Sequence, residues 1–347
     1  MKQSLYSKLD IKLGKHCWSF SKAVLKVGLT LLFAASSSSA FALLKYDPTT
    51  PLYDNDKSAH SIGDIGALLS DASSKGQRVV FYLHGRGAEP EKSFNAKMTG
   101  GGAVGRLSTE YGVRVILIGW NSKATGKDRS EPLTQVDQGA GTLGSVLNQL
   151  IEFQRLNPNV QRPSLLVHSM GSIVLATLVQ QRGWPEAQGK SIFSNILFSE
   201  PDADSQGHAG WLSKVSSRER VYVTQNTRDS VLKLSTDSRT PNGNFALGLE
   251  PVEPLASNAK YVNLTEALKV KRVLVLKLGA HQVFSKSWMG GNVNTCIFVT
   301  KALLGEKFEP DEIAGVTRQN PGRFRFAANL DKKHSCFKNE AVGGDKE

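Results

Sequence analysis

Short apolar runs recur along the chain at Val79–Leu83, Val113–Ile118, Ser164–Val167, Asn195–Phe198, Val221–Val223 and Val273–Leu278, each bounded by Gly, Pro, Asn or charged residues. Successive rather than alternate positions are apolar, which predicts strands buried on both faces, as in a parallel sheet covered by helices. Between the runs, apolar residues fall on one helical face over 142–156, 172–181 and 293–304. An earlier helix is predicted over Ile62–Ala72, with Ile62, Ile65, Leu68 and Leu69 on its apolar side. Strand followed by helix, repeated, predicts an α/β fold with helices on both faces of a mainly parallel sheet. Ligands of such folds bind beyond the carboxyl ends of the strands, so the residues just after each run are the places to look for chemistry.

Two longer connections, 121–134 and 236–255, interrupt this rhythm and read as loops near the edge of the sheet. The stretch from Asp204 to Arg220 is too short for a separate cap domain, which predicts an open site. The organisation expected is a leader over 1–42, an N-terminal segment with one helix over 43–76, a core over 77–306 and a tail over 307–347.

With 347 residues, 40% hydrophobic and 21% charged, the composition is that of a globular protein, against extensive disorder or a polytopic membrane protein. The formal charge of +12 would invite a nucleic-acid partner, but no basic helix or aromatic-basic motif supports one. Six lysines and one acid lie in residues 1–42, and without them the balance is +7. That stretch runs from a basic start through an apolar core, Val27 to Ala35, to a serine run and Ala40-Phe41-Ala42. This is the order of a secretory signal peptide cleaved after Ala42, and the apolar core is shorter than the roughly 20 residues a spanning helix needs. An uncleaved anchor remains the alternative. An exported chain, periplasmic or secreted, would keep Cys296 and Cys336 after losing Cys17. One disulfide is then expected between them, worth about 2–4 kcal/mol.

Three strand ends carry complementary chemistry. The run ending at Val167 continues as His168-Ser169-Met170-Gly171 and passes directly into a helical stretch, so Ser169 would sit on a sharp strand-to-helix turn. Taken alone, the serine also reads as a helix cap. After the first run, His84-Gly85-Arg86-Gly87 can aim backbone N–H groups at an oxyanion. Met170 with Arg86 or Gly87 would form that hole, each donor being worth about 2.7–4 kcal/mol in a transition state. Asp229 follows the run at Val221, and His281 the run at Val273, so Ser, Asp and His stand in the chain order of a hydrolase triad. His281 would serve as general base and Asp229 would orient it, with Asp202 or Asp204 as alternative acids. His84 and His168 flank the site without the spacing of a zinc set and read as orienting or packing residues, and His208 is a weaker rival base.

These motifs, with Trp120-Asn121-Ser122, Asp137, Ser199–Asp204 and Asn226–Ser235, resemble those of bacterial α/β-hydrolases of uncharacterised function. The resemblance spans about His84 to Leu304. It implies the α/β-hydrolase fold and a serine hydrolase site that needs no metal and no organic cofactor, and says little of the substrate. One departure is Val167, where the usual pattern has glycine, which predicts crowding at the strand-helix crossing. The activity expected is hydrolysis of a small-molecule or lipid ester, or a related acyl bond, through acyl-Ser169. An acyltransferase with the same triad, or a non-catalytic binding protein, are the alternatives. Trp211, Phe284 and Trp288 could give weak contact with a membrane surface, and the oligomeric state is left open.

Overall fold

A computed structural model describes residues 45–87, 90–95, 102–123, 129–185, 191–237, 244–268, 271–273, 276–278, 280–289, 292–309 and 313–328. All belong to one compact unit, Leu43–Glu347. The leader and Cys336 lie outside the described residues.

In chain order the elements are β1 (Leu52–Tyr53), β2 (Ala59–His60), a short 3-10 turn at Ile62–Asp64, α1 (Ile65–Ser74), β3 (Val79–Leu83), α2 (Pro90–Asn95), α3 (Ala103–Tyr111) and β4 (Arg114–Ile118). There follow α4 (Ser130–Leu133), α5 (Val136–Leu156), β5 (Ser164–His168), α6 (Gly171–Arg182), β6 (Asn195–Ser199), α7 (His208–Leu212), β7 (Arg220–Gln225) and α8 (Ser230–Asp237). The chain continues with β8 (Ala259–Asn263), β9 (Lys271–Val273), β10 (Leu276–Leu278), α9 (Lys286–Met289), α10 (Val293–Leu304), β11 (Val316–Asn320) and β12 (Arg323–Phe326).

Ten strands form one sheet in the order β11-β12-β8-β7-β6-β5-β3-β4-β1-β2. Every neighbouring pair from β4 to β12 is parallel, and antiparallel strands close the two edges. This is the α/β-hydrolase architecture. Along each strand, side chains alternate between two apolar layers. Phe81, Leu83, Ile116, Leu165, Val167 and Ile196 pack with α1, α5 and α6. Val80, Tyr82, Val115, Leu117, Leu166 and Leu197 pack with α3 and α10. Burial on both faces explains why the strands read as unbroken apolar runs.

The structure corrects several expectations. Among the described residues the run Val273–Leu278 adds no strand to the main sheet; β9, which ends at Val273, and β10 pair antiparallel with each other. The place beside β7 is taken by β8, paired from Val221↔Ala259 to Gln225↔Asn263. β8 escapes a search for apolar runs because Lys260 breaks its pattern. The segment before residue 77 and the residues after 306 both add strands to this sheet, through β1 against β4 and β12 against β8. α5 begins at Val136 rather than Thr142, its first turns being hidden by Gly139, Gly141 and Gly144. Those glycines allow close packing: a Cβ on Gly144 would lie 3.2 Å from Leu178 Cδ1 on α6. Trp211 and Phe284 are buried in the core and are not exposed at the surface, and Trp288 is half-buried.

Candidate active site

β5 ends at His168, and Ser169 adopts φ 53°, a left-handed conformation that a non-glycine residue takes only when its surroundings impose it. The impositions are identifiable. Ser169 N–H donates to Ser199 O at 3.2 Å, while its own carbonyl accepts from Asp202 N at 3.0 Å, Ser172 N at 3.0 Å and Ser172 Oγ at 2.6 Å. Gly171 then lets α6 meet β3, since a Cβ there would lie 2.7 Å from Leu83 O. Gly85 makes the matching approach, with its Cβ position 2.7 Å from Ser169 Cβ. Val167 does not spoil this turn, because its side chain is fully buried in the layer under α5 and α6. The close crossing falls to Gly171 instead.

Ser169 is not a helix cap: Met170 is the N-cap of α6 and makes no side-chain capping bond. The Ser169 hydroxyl lies 3.0 Å from His281 Nε2, and His281 Nδ1 lies 2.7 Å from Asp229 Oδ2. An ionised carboxylate only accepts, so Nδ1 carries the proton and Nε2 is left to accept from the serine. Asp229 is completely buried and serves twice, for its Oδ1 accepts from Val231 N at 2.8 Å and Leu232 N at 3.0 Å in the first turn of α8. Helix cap and histidine partner are two oxygens of one carboxylate. Burial pulls the His281 pKa down, but the charge of Asp229 and its hydrogen bond outweigh that and leave it raised.

Because His281 does not follow a strand of the main sheet, side chains hold its segment in place. Asn226 Nδ2 donates to Ala280 O at 2.9 Å, on the residue just before it. His168 lies 2.7 Å through Nε2 from the His281 carbonyl and 3.4 Å through Nδ1 from the Tyr82 hydroxyl. Burial lowers the His168 pKa to about 3, so the ring is neutral, with Nε2–H as donor and Nδ1 as acceptor. His84 is likewise neutral, its pKa lowered by burial to about 4. It contacts Gly85 O at 2.8 Å, accepts from Trp120 N at 3.3 Å and stacks on the Trp120 ring.

Glu200, which sequence reasoning passed over, is the third support. It follows β6 with φ 43° and is fully buried. Its carboxyl group accepts from Ser199 Oγ at 2.5 Å and from Val283 N at 3.2 and 3.3 Å, two residues past His281. Burial first, and then the Asp229 charge, push its pKa up to about 8 from the usual 4.5. A carboxyl group raised in this way gives its full stability below its unfolded pKa and loses it as pH rises through the folded value. Glu200→Gln keeps a neutral hydrogen-bonding group there. The variant is expected to match the wild-type melting temperature near pH 5 and to exceed it at pH 9. Parallel loss of melting temperature in both proteins across that range would show that Glu200 does not titrate as described.

The remaining candidates separate. Gly87 N–H donates to Ser122 O at 2.8 Å and is committed to the loop, which corrects its place among the candidate oxyanion donors. Asp202 accepts from Ser235 Oγ at 2.6 Å and pairs with Arg129 at 3.3 Å, so it does not orient His281. Asp204 forms a backbone bridge with Ala246. His208 is buried against Ser205 O at 2.6 Å and the Tyr261 hydroxyl at 2.7 Å, away from the serine. Cys296 is a buried residue of α10, and Cys336 is outside the described residues.

Above Ser169 lies a cavity of about 190 Å³ lined in part by Gly85, Arg86, Met170, His168, His281 and Leu232. A serine hydroxyl beside an oriented imidazole, at the mouth of a cavity and at the N-terminus of α6, is an arrangement able to attack a carbonyl. The helix end favours the negative charge that develops there.

A family model described as alpha/beta hydrolase of unknown function (DUF900) matches residues 65–270. No curated protein matches the chain. Among solved structures, the lipase B of Aspergillus fumigatus is similar at 10% identity, over 54% of this chain and 44% of that one, with a TM-score of 0.32. A mature Bacillus licheniformis lipase is similar at 15% identity, over 74% and 82% of the two chains, with a TM-score of 0.26. A predicted hydrolase of Thermoplasma acidophilum is similar at 17% identity, over 51% and 76%, with a TM-score of 0.24. The chain therefore spans less than half the length of the first of these.

Proposed function

The chain belongs to this family of alpha/beta hydrolases, and from that premise we propose that it is an exported serine hydrolase that cleaves a carboxylic ester, or a related acyl bond, through an acyl-Ser169 intermediate. The observation that carries the reading is the unbroken relay from Ser169 Oγ through both ring nitrogens of His281 to Asp229. Ser169 Oγ attacks the acyl carbon as its proton passes to His281 Nε2. The tetrahedral oxyanion is met by the Met170 and Arg86 N–H groups. His281 then returns the proton to the leaving alcohol, and water, deprotonated by the same nitrogen, releases the acid and restores the serine. Asp229 keeps the Nδ1–H tautomer and stabilises the imidazolium between the two proton transfers.

Export is supported by the leader pattern in residues 1–42, and a Cys296–Cys336 bridge would fit an oxidising compartment. Intact mass and non-reducing peptide mapping of the protein recovered after treatment with a fluorophosphonate test these points together. The expected product starts at Leu43, carries one adduct on Ser169 and yields the two cysteines as a linked pair. An unlabelled Ser169 in folded protein would refute the acyl-serine mechanism, and retention of residues 1–42 would refute cleavage. Free thiols would remove the bridge and leave the chemistry standing.

A further inference from the structure

A second cavity, of about 400 Å³, lies beside the one above Ser169, which measures about 190 Å³. Only the second reaches the roughly 300–1,000 Å³ usual for small-molecule sites. Its floor is apolar. Ala176 and Ala203 are 7% and 5% exposed, and Trp211, 4% exposed, is fixed against the Phe198 ring in a T-shaped contact at 5.7 Å. Half-buried Ile173 and exposed Leu133 carry the apolar surface outward to solvent.

Three stretches of chain lead from one cavity into the other. Met170, at the start of α6, borders the catalytic cavity, and Ile173, Thr177 and Gln180, on later turns of the same helix face, border the second. After β6, Asp202 borders the first, and Ala203 and Asp204 border the second. Arg129 borders both, its guanidinium 3.3 Å from Asp202. The two spaces differ in what they offer. The wall around Ser169 carries Arg86, Lys92, Arg106, Arg129 and Asp202, and hydrocarbon packed among such groups takes their water without replacing it. Hydrocarbon laid on Ala176, Ala203 and Trp211 gains by leaving water.

Building on the acyl-serine reading of this site, we infer that the two cavities form one cleft with the Arg129–Asp202 pair at its waist, and that the second is a subsite for an unbranched hydrocarbon chain of the ester. The carbonyl sits at Ser169 and the chain runs along α6 past Arg129. From Met170 to Thr177 the helix rises about 10 Å. An extended chain with C–C bonds of about 1.5 Å covers that in about eight carbons. The chain belongs to the acyl or to the alcohol part of the ester, two sources that the experiment separates.

Two substrate series make the test, each kept below the concentration at which it self-assembles. The p-nitrophenyl esters of acetate, butyrate, hexanoate and octanoate lengthen the acyl part, and ethyl to octyl acetate lengthen the alcohol part. In one series wild-type kcat/KM is expected to rise about twofold or more per methylene, so by about tenfold or more over four of them. The series that responds identifies the part that enters the subsite. Thr177→Trp places an indole in the second cavity and should bring the eight-carbon ester down to the level of the four-carbon one, while short esters stay within about twofold of wild type. Octanoate or octan-1-ol should inhibit butyrate hydrolysis in wild type and lose that effect in the variant. Gln180→Trp, at an exposed position on the same face, shortens the subsite without entering the core and should lower the longest ester most. Flat profiles in both series, with butyrate hydrolysis that depends on Ser169, overturn the inference and leave the acyl-serine reading intact. A chain-length preference that neither variant alters overturns it too, because the chain then lies elsewhere. If Thr177→Trp does not fold or lowers every ester alike, Gln180→Trp decides: an unchanged preference there refutes the subsite. Hydrolysis of no ester, with Ser169 unlabelled in folded protein, brings down both readings.

Discussion

Ser169→Ala is expected to lower kcat for ester hydrolysis by about 10⁴-fold or more, because the variant has no atom with which to form the acyl-enzyme. The effect should fall on chemistry and not on folding. The hydroxyl makes its hydrogen bond to His281, whereas the left-handed turn is held by the backbone of Ser169 and by the Ser172 hydroxyl. Melting temperature should therefore move little while turnover collapses. What survives would come from substrate binding and from the proposed Met170 and Arg86 donors, which do not depend on the nucleophile. Initial rates with p-nitrophenyl butyrate, alongside a thermal melt, make the measurement. Activity within tenfold of wild type, from protein free of wild-type contamination, would mean that another group performs the attack.

How much of this was legible beforehand depends on the physical signal each feature leaves in the chain. β3 to β7 are buried on both faces, so their composition alone marks them. The strand-to-helix turn at Ser169 is equally visible, since β5 runs into α6 across only two residues and needs Gly171 for the crossing. β8 and β12 lie toward one edge, where half-buried and exposed positions admit Lys260, Arg323 and Arg325, and the apolar run dissolves. Conversely, Val273–Leu278 is apolar enough to mimic a sheet strand. Composition cannot tell which partner such a run will find, and here its ends find each other.

The supports of His281 were the least legible. Asn226 could have been suspected, because it stands three residues before Asp229 on the same turn. Glu200 stands directly after β6, at the end of the sheet where chemistry was expected, yet nothing local says that a glutamate will be buried. His168 looks like a member of a motif, and only the folded chain shows its ring bonded to the backbone of a residue 113 positions away. The basic lining of the cavity is harder still, since Arg86, Lys92, Arg106 and Arg129 form no cluster in sequence. Individually they look like ordinary solvated charges. The main-chain hydrogen bond that removes Gly87 from the candidate oxyanion donors is likewise set by the position of Ser122 across the sheet end.

Asp229→Asn should cost about 10⁴-fold in kcat while sparing the fold, and the reason lies in the division of labour between its two oxygens. An asparagine can keep its carbonyl oxygen toward Val231 N and Leu232 N, so the cap of α8 survives. The amide nitrogen then faces His281 Nδ1, where a donor replaces an acceptor. His281 answers by placing its proton on Nε2, and that nitrogen can no longer accept from Ser169. Asp229→Ala removes both bonds and should lose, in addition, the roughly 0.5–2 kcal/mol that a helix cap contributes. The pH profile gives an independent reading. General-base catalysis needs neutral His281, so kcat/KM falls as pH drops through its pKa, which in wild type is raised above 6.5 by Asp229. Without that carboxylate, burial of the ring is left less opposed, and the acid limb should move to lower pH in the residual activity of Asp229→Asn. If the variant kept near-normal turnover with an unshifted acid limb, the carboxylate would be no more than a helix cap, and the histidine would need another partner to explain its orientation.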